Sequence, residues 1–598
     1  MQEARVYLEL VRERGKKRLP LTRVYRQLFN REWYLIAYGK IYRNKGAMTQ
    51  GATPETVDSM SLAKIDAIIN ALRQERYRWK PVQRVVVPKR NSTKTRALGL
   101  PTWSDKLLQE VLRLILEAYF EPHFSDHSHG FRAGRGCHTA LKDMYDHWAG
   151  VTWTIEGDIA ACFDNLSHDL LLDTLAKYIH DGRFLQLIRS LLKAGYLENW
   201  KWNRTLSGAP QGSILGPILS NLVLSHLDTF VEDTLIPAYT RGERRKANPT
   251  YTRLNNLIRR KRQQGKTEEA KRLEQQRRTL PSIDPYDPDY RRLRYCRYAD
   301  DFCLGIIGPK EEAEEIKRQL GVFLRESLKL DLSETKTLIT HMRTEKAKFL
   351  GYELSTFQRN DAHEQAYYKR RVLNGKVELS LPAAVIQTKC QRYMTHNKPI
   401  HRTEMLNDSV FSIIVHFQGV YRGMVEYYRL AHNVYGLNKL KWIMEQSLVK
   451  TLAAKLKISV HQVYKRFRAT IVTDGKAYKG LQTVIQREGK APLVAQWGGI
   501  PLQRRMETVL NDDPYLYWNG QTEIVQRLLA ETCELCGSQT QIEVHHIRAL
   551  KDLDRYGRPE KPAWVKTMAA RHRKTLVVCQ SCHKAIHAGK PLTFHHLE

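Results

Sequence analysis

YCRYADDFCLGII, residues 295–307, sets two adjacent aspartates, Asp300 and Asp301, inside an otherwise apolar and aromatic run. The alternation and aromatic content predict two strands, with Ala299 and Asp300 at the bend between them. Two like charges buried side by side are unfavourable unless something positive is bound there. A hard divalent cation such as Mg²⁺ suits the position, because carboxylates are its preferred ligands. The competing reading is a hairpin turn capped by two exposed acids.

A partner lies upstream in WTIEGDIAACFDNL, residues 153–166. Thr154, Glu156 and Asp158 alternate with Trp153, Ile155, Gly157 and Ile159 as in a strand, placing Asp158 near its end. Paired with Asp300, Asp158 makes a candidate two-metal clamp for phosphoryl transfer. YADD at 298–301, preceded by DIAACFD at 158–164, resembles the palm of a reverse transcriptase. The surrounding blocks resemble the group II intron-encoded proteins, which combine reverse transcriptase and maturase activities. That resemblance implies a multidomain α+β chain built as a right-hand polymerase with fingers, palm and helical thumb. It also implies Mg²⁺ on Asp158, Asp300 and Asp301, and deoxynucleoside triphosphates as substrates.

Moving outward, residues 1–80 carry charged helical patterns, broken by NKGAMTQGATPETVD at 44–58 and resumed by LAKIDAIINALRQERY. The resemblance makes them an N-terminal extension and the start of the fingers. Residues 81–365 then correspond to fingers and palm. KPVQRVVVPKRNSTKTRALGLP, residues 80–101, predicts two strands around a turn at Asn91–Thr93, with a basic tip suited to a triphosphate. By resemblance Lys89 and Arg96 are its nucleotide-contacting residues. The Gly-rich loop SDHSHGFRAGRGCHTAL, residues 125–141, lacks P-loop spacing and resembles the family's second block, with Arg132 a support for the template strand. Phe163, five residues after Asp158, either packs in the core or lies under the incoming sugar, excluding a 2′-hydroxyl by sterics. The resemblance favours the sugar gate. LSGAPQGSILGPILSNLVLSHLD, residues 206–228, is a punctuated loop followed by a helix, and its Gln211 matches the family's residue beside the nucleotide.

Between residues 240 and 292 the polymerase pattern is interrupted. Ten Lys or Arg against three Glu between 251 and 280 predict a surface helical hairpin, either an RNA contact or an insertion without a ligand. Leu332, Ser333 and Lys336 match the family's sixth block, and FLGYEL at 349–354 its seventh. Residues 370–465 mix aromatic and basic side chains on helices, among them Tyr421, Tyr427, Tyr428, Trp442, Arg422, Lys450 and Lys455. Such helices either stack on and grip RNA or use the aromatics as their own core. The resemblance makes this the thumb or maturase domain, with Arg422, Lys450 and Lys455 contacting RNA. Residues 466–525 contain no nucleophile or metal set, and by position alone correspond to a DNA-binding linker domain.

The C-terminal residues 526–598 hold a second candidate site. Cys533 and Cys536 form one C-x2-C pair, Cys579 and Cys582 another, a set suited to a structural Zn²⁺. Glu543, His545 and His546 lie between the pairs, and His583 and His587 follow. The whole resembles an HNH endonuclease of the ββα-metal type, although RKTLVVC replaces the usual asparagine before the second pair. The resemblance implies His546 as general base, with His545 and either His587 or His583 holding a divalent ion, Mg²⁺ as in the polymerase.

Composition agrees with this reading. The chain has 598 residues, enough for about four domains of ~150 residues. Lys and Arg number 97 against 63 Asp and Glu, a net charge of +34 whose natural partner is a polyanion rather than a membrane, since no run of 18 apolar residues exists. MQEARVYLEL at the N-terminus reads as neither signal peptide nor anchor. Nine cysteines, four of them in metal spacing, indicate a reducing compartment, cytoplasmic or organellar. The expected partners are the protein's own intron RNA and a target DNA. The runners-up are a domesticated reverse transcriptase on another RNA and a splicing factor with decayed sites.

Overall fold

The computed structural model describes residues 3–88, 95–198, 201–205, 207–208, 212–280, 282–284, 287–358, 375–487, 490–507, 522–547, 564–565, 568 and 574–589. Lys89 and Gln211 lie outside them. The chain opens with helices α1 (Ala4–Lys16), α2 (Arg31–Ile41) and α3 (Leu62–Arg73). Asn30 caps α2 by accepting from the Glu32 N–H, and Ser61 caps α3 by accepting from Lys64. Leu8 and Val11, Trp33, Tyr34 and Tyr38, and Ile65 and Leu72 enter one core. Strands β1 (Val82–Pro88) and β2 (Thr95–Leu100) pair antiparallel, with Val87 opposite Arg96. Helix α4 (Trp103–Phe120) is enclosed along most of its 18 residues and forms the spine of that core.

Helix α5 (Cys137–His147) leads into β3 (Trp153–Asp158), the one-turn helix α6 (Cys162–Asn165) and α7 (Gly216–Phe230). The charged segment forms the helical hairpin of α8 (Pro249–Gln263) and α9 (Thr267–Arg278). Each buries one apolar residue, Ile258 and Ala270, which leaves the pair almost entirely solvated. Strands β4 (Arg292–Tyr298) and β5 (Asp301–Ile307) make the predicted hairpin. Helix α10 (Lys310–Phe323) and strand β6 (Leu338–His341) complete the unit. The sheet runs β4-β5-β3-β6, antiparallel throughout.

A second core lies beyond it. Helices α11 (Val410–Tyr427) and α12 (Leu437–Leu456) pack against a three-stranded sheet of β7 (Arg468–Thr473), β8 (Lys476–Arg487) and β9 (Lys490–Trp497). Trp497 is fully buried against Phe417 and Tyr421, and its indole N–H donates to Glu445 on α12. Gln418 and Gly498 exchange two hydrogen bonds. These strands therefore share one core with the helices before them.

The C-terminal region comprises α13 (Glu523–Leu529), β10 (Ile542–His546), β11 (Thr575–Cys579) and α14 (Gln580–His587). Ile524, Val525 and Leu528 of α13, with Val544 and Val577, join the same core as α2 and α4. The C-terminal region thus packs on the helices that precede the central sheet. The fold is mixed α+β and multidomain, and among the described residues no helix is long and apolar enough to cross a membrane.

Candidate active sites

The first site stands at one end of the central sheet. The β3–β5 ladder places Asp158 directly opposite Asp301, and the two-residue bend between β4 and β5 presents Asp300 beside them. Ala299 at that bend has a left-handed backbone, φ +58°. Gly157 is required on β3, because a Cβ there would stand 2.2 Å from the Phe302 ring. Enclosure raises the Asp300 carboxyl above its ordinary range, and Asp158 adds to the effect. Enclosure, then Asp300 and Asp158, push Asp301 up to about 6. Asp300 and Asp301, raised by enclosure and by neighbouring carboxylates, form with Asp158 a set a divalent cation stabilises, and their oxygens suit Mg²⁺. Among the described residues they are not one of the sets whose donor atoms all lie within 4.8 Å. Lys336 donates to Asp158 Oδ2 at 2.7 Å, and Arg96 on β2 lies near enough to oppose the shift at Asp300.

The bend is anchored from behind. Arg297 is fully buried and forms a two-pronged ion pair with Asp228 on α7, both bonds 2.6 Å. The same guanidinium donates to the Ala299 carbonyl at 2.9 Å and to Asn221 at 3.1 Å. Asn221 in turn donates to the Gly130 carbonyl, and a Cβ on Gly130 would stand 2.3 Å from the Ala299 nitrogen. The glycine-rich loop therefore buttresses the bend carrying Asp300. Phe163 on α6 is half-buried, edge-on to the exposed ring of Phe131. Gly208 and Gly212, on either side of Gln211, approach the Phe163–Asp164 carbonyls and Gly99 of β2.

The second site is in the C-terminal region. The sulfurs of Cys533, Cys536, Cys579 and Cys582 all lie within 4.8 Å of one another, with Cys536 and Cys579 3.7 Å apart. Thiolates bonded to one Zn²⁺ at ~2.3 Å stand about 3.8 Å apart in a tetrahedron, so the set fits a structural zinc. His545 on β10 and His583 and His587 on α14 converge with Asp58 into another four-donor set. Both His583 and His587 take part, where the sequence left a choice between them. Burial opposes charge on His583, yet Asp58 and Glu543 outweigh it and lift the ring to about 9. Three imidazoles favour a borderline transition ion over Mg²⁺. His546 points away from this set. It is 5% exposed, its Nε2 pairs with the Tyr38 hydroxyl at 3.0 Å, and burial lowers it to about 3.

Three family models match: reverse transcriptase (RNA-dependent DNA polymerase) over 87–354, type II intron maturase over 374–490, and an AI2M/AI1M-like HNH endonuclease over 533–583. The group II intron-encoded protein LtrA of Lactococcus lactis subsp. cremoris is 38% identical over 592 residues, covering 95% of this chain and 96% of the relative. The chain belongs to the group II intron-encoded proteins. It is a reverse transcriptase and maturase that assists splicing of a group II intron, with an endonuclease for intron mobility. An uncharacterized 91 kDa protein in the cob intron of Schizosaccharomyces pombe is 33% identical, covering 94% of this chain and 69% of that protein. A putative COX1/OXI3 intron 1 protein of Saccharomyces cerevisiae is 30% identical, with 94% and 68% covered.

Within this intron-encoded protein the residues expected on RNA have different surroundings. Arg132 is 5% exposed, paired with Glu121 and donating to the Ser128 carbonyl at 2.6 Å, so it holds the glycine-rich loop together from inside. Lys450 and Lys455 donate to the carbonyls of Pro399 and Leu406. Arg422 is exposed on α11. Tyr421 and Tyr428 are core residues, whereas Trp442 is 59% exposed. Asp58, Tyr38 and Arg297 were not singled out by sequence reasoning. Only Arg297 carried a signal, a cation two residues before Ala299, among aromatic neighbours at the strand end beside the two aspartates.

Proposed function

We propose that Asp158, Asp300 and Asp301 are the carboxylates of DNA synthesis on an RNA template. The supporting observation is the ladder that sets Asp158 opposite Asp301, with Asp300 at the adjoining bend. These carboxylates would hold Mg²⁺, which would supply acidity for a primer 3′ hydroxyl and charge for the departing pyrophosphate. Lys336 orients Asp158, and Arg297 fixes the peptide before Asp300. On this reading the β4-β5-β3-β6 sheet is the palm, β1–β2 the fingers hairpin, and α11–α12 with β7–β9 the thumb and maturase surface. The N-terminal extension and endonuclease occupy 1–80 and 526–598, and the linker expected over 466–525 is reduced to the residues after Trp497, because β7–β9 share the core of α11 and α12. Lys89, Arg96 and Gln211 meet the deoxynucleoside triphosphate, and Phe163 excludes a 2′-hydroxyl. Arg422 and Trp442 face intron RNA, with α8–α9 adding basic surface.

The endonuclease opens a target DNA strand whose 3′ end primes synthesis. His545, His583 and His587 hold its ion, whereas His546, the base expected from the sequence, is buried against the Tyr38 hydroxyl away from that ion and is not placed to take a proton from the attacking water. The partners are this protein's own intron RNA and that DNA, in a reducing compartment. A target-primed assay with intron RNA separates the two sites. Asp300→Asn nicks the DNA but makes no cDNA, whereas His545→Ala makes cDNA only on pre-nicked DNA. Nicking by His545→Ala at the normal rate refutes the endonuclease assignment.

A further inference from the structure

The histidine set draws its fourth donor from the opposite end of the chain. His583 Nε2 stands 3.0 Å from His545 Nδ1, 3.0 Å from His587 Nε2 and 3.2 Å from Asp58 Oδ1. The other nitrogen of that ring, Nδ1, is engaged by Glu543 at 2.7 Å, the outer carboxylate contact that orients a metal-binding histidine. A single ring N–H cannot satisfy three neighbours that each offer a lone pair. One cation shared by all of them can. Imidazole nitrogens bonded to one ion at ~2.1 Å and at right angles stand about 3 Å apart. Asp58 Oδ2 also lies 2.9 Å from His587 Nε2, and Oδ1 3.5 Å from His545 Nδ1.

Asp58 is held in place by backbone pairing. The Ser59 N–H donates to the Val544 carbonyl at 3.0 Å, and the Val544 N–H to the Met60 carbonyl at 2.8 Å. Asp58 and Ser59 thus form a turn, Ser59 with a left-handed backbone (φ +62°), that leads into a single antiparallel bridge between Met60 and Val544; Met60 is fully buried, and the His546 N–H donates to Asp58 Oδ1 at 2.8 Å. We propose that Asp58 is the fourth ligand of the divalent ion held by His545, His583 and His587, so that this ion fastens the N-terminal region onto the endonuclease. The inference rests on the assignment of the three histidines as the endonuclease's ion site. A transition ion with mixed imidazole and carboxylate preference is the class that fits.

The test is a Co²⁺ titration of the full-length protein with Zn²⁺ kept in the cysteine set, followed by visible absorption and by hydrogen exchange of the 57–60 amides. Wild type is expected to bind one Co²⁺ and to protect those amides on binding. His583→Ala should lose the ion. Asp58→Asn, similar in shape, should bind at least ~10-fold more weakly and lose the ion-dependent protection, while primer extension reports that it is folded. Asp58→Cys should add a thiolate-to-cobalt charge-transfer band. Wild-type Co²⁺ affinity in Asp58→Asn, or no such band in Asp58→Cys, overturns the inference. Wild-type affinity in His583→Ala overturns the histidine assignment beneath it.

Discussion

The side chain on which the polymerase bend depends is Arg297, buried and bonded to Asp228, Asn221 and the Ala299 carbonyl. Removing one partner of a buried ion pair strands the other charge in a low-dielectric interior. Asp228→Ala is accordingly expected to lower stability by about 3–5 kcal/mol, measured by denaturant unfolding. Arg297→Met, which also frees the bend, should lower the rate of DNA synthesis with little effect on triphosphate KM. A rise in KM alone would count against positioning of Asp300. Phe163→Ala should raise ribonucleotide incorporation relative to deoxynucleotide in single-nucleotide extension. An unchanged ratio returns Phe163 to a packing role.

At the level of elements, the C-terminal hairpin has little core of its own. Leu535, Leu576, Val578 and Ile586 surround the cysteines, and four thiolates on one zinc close the unit. Cys579→Ser should lower zinc content by metal analysis and abolish DNA cleavage, while primer extension falls far less, since the zinc closes the cluster around the cysteines and Val544 and Val577 enter the core shared with α2 and α4. The strands of the polymerase site and the cysteine set of the C-terminal one were legible in the sequence, since acidic residues in alternating apolar runs and two C-x2-C pairs are local signals. The sheet β7–β9 was not. Its burial pattern is set by contact with α11, so alternation along the strands is weak, as in the mostly exposed β8. The aromatic helices looked alike in sequence, and only packing separates the core residues Tyr421 and Tyr428 from the exposed Trp442. Asp58 lay in a Gly/Pro-broken stretch that reads as a connection, and its partners are 487 or more residues away.

For the whole molecule, the +34 charge predicts RNA affinity that falls steeply with salt. Arg422→Ala should reduce the slope of log affinity against log salt by about 1 if it meets a phosphate. An unchanged slope would place the RNA surface elsewhere, with α8–α9 the next candidate. Deleting 370–465 is a poorer test, because β7–β9 share the core of those helices. The central claim is that one carboxylate cluster makes DNA on an RNA template, and Asp300→Asn tests it most directly. The measurement is single-nucleotide extension of a primer on RNA template in Mg²⁺, with RNA affinity determined on the same preparation. Extension reduced to background with wild-type RNA affinity is the predicted result, and extension near the wild-type rate would contradict the account.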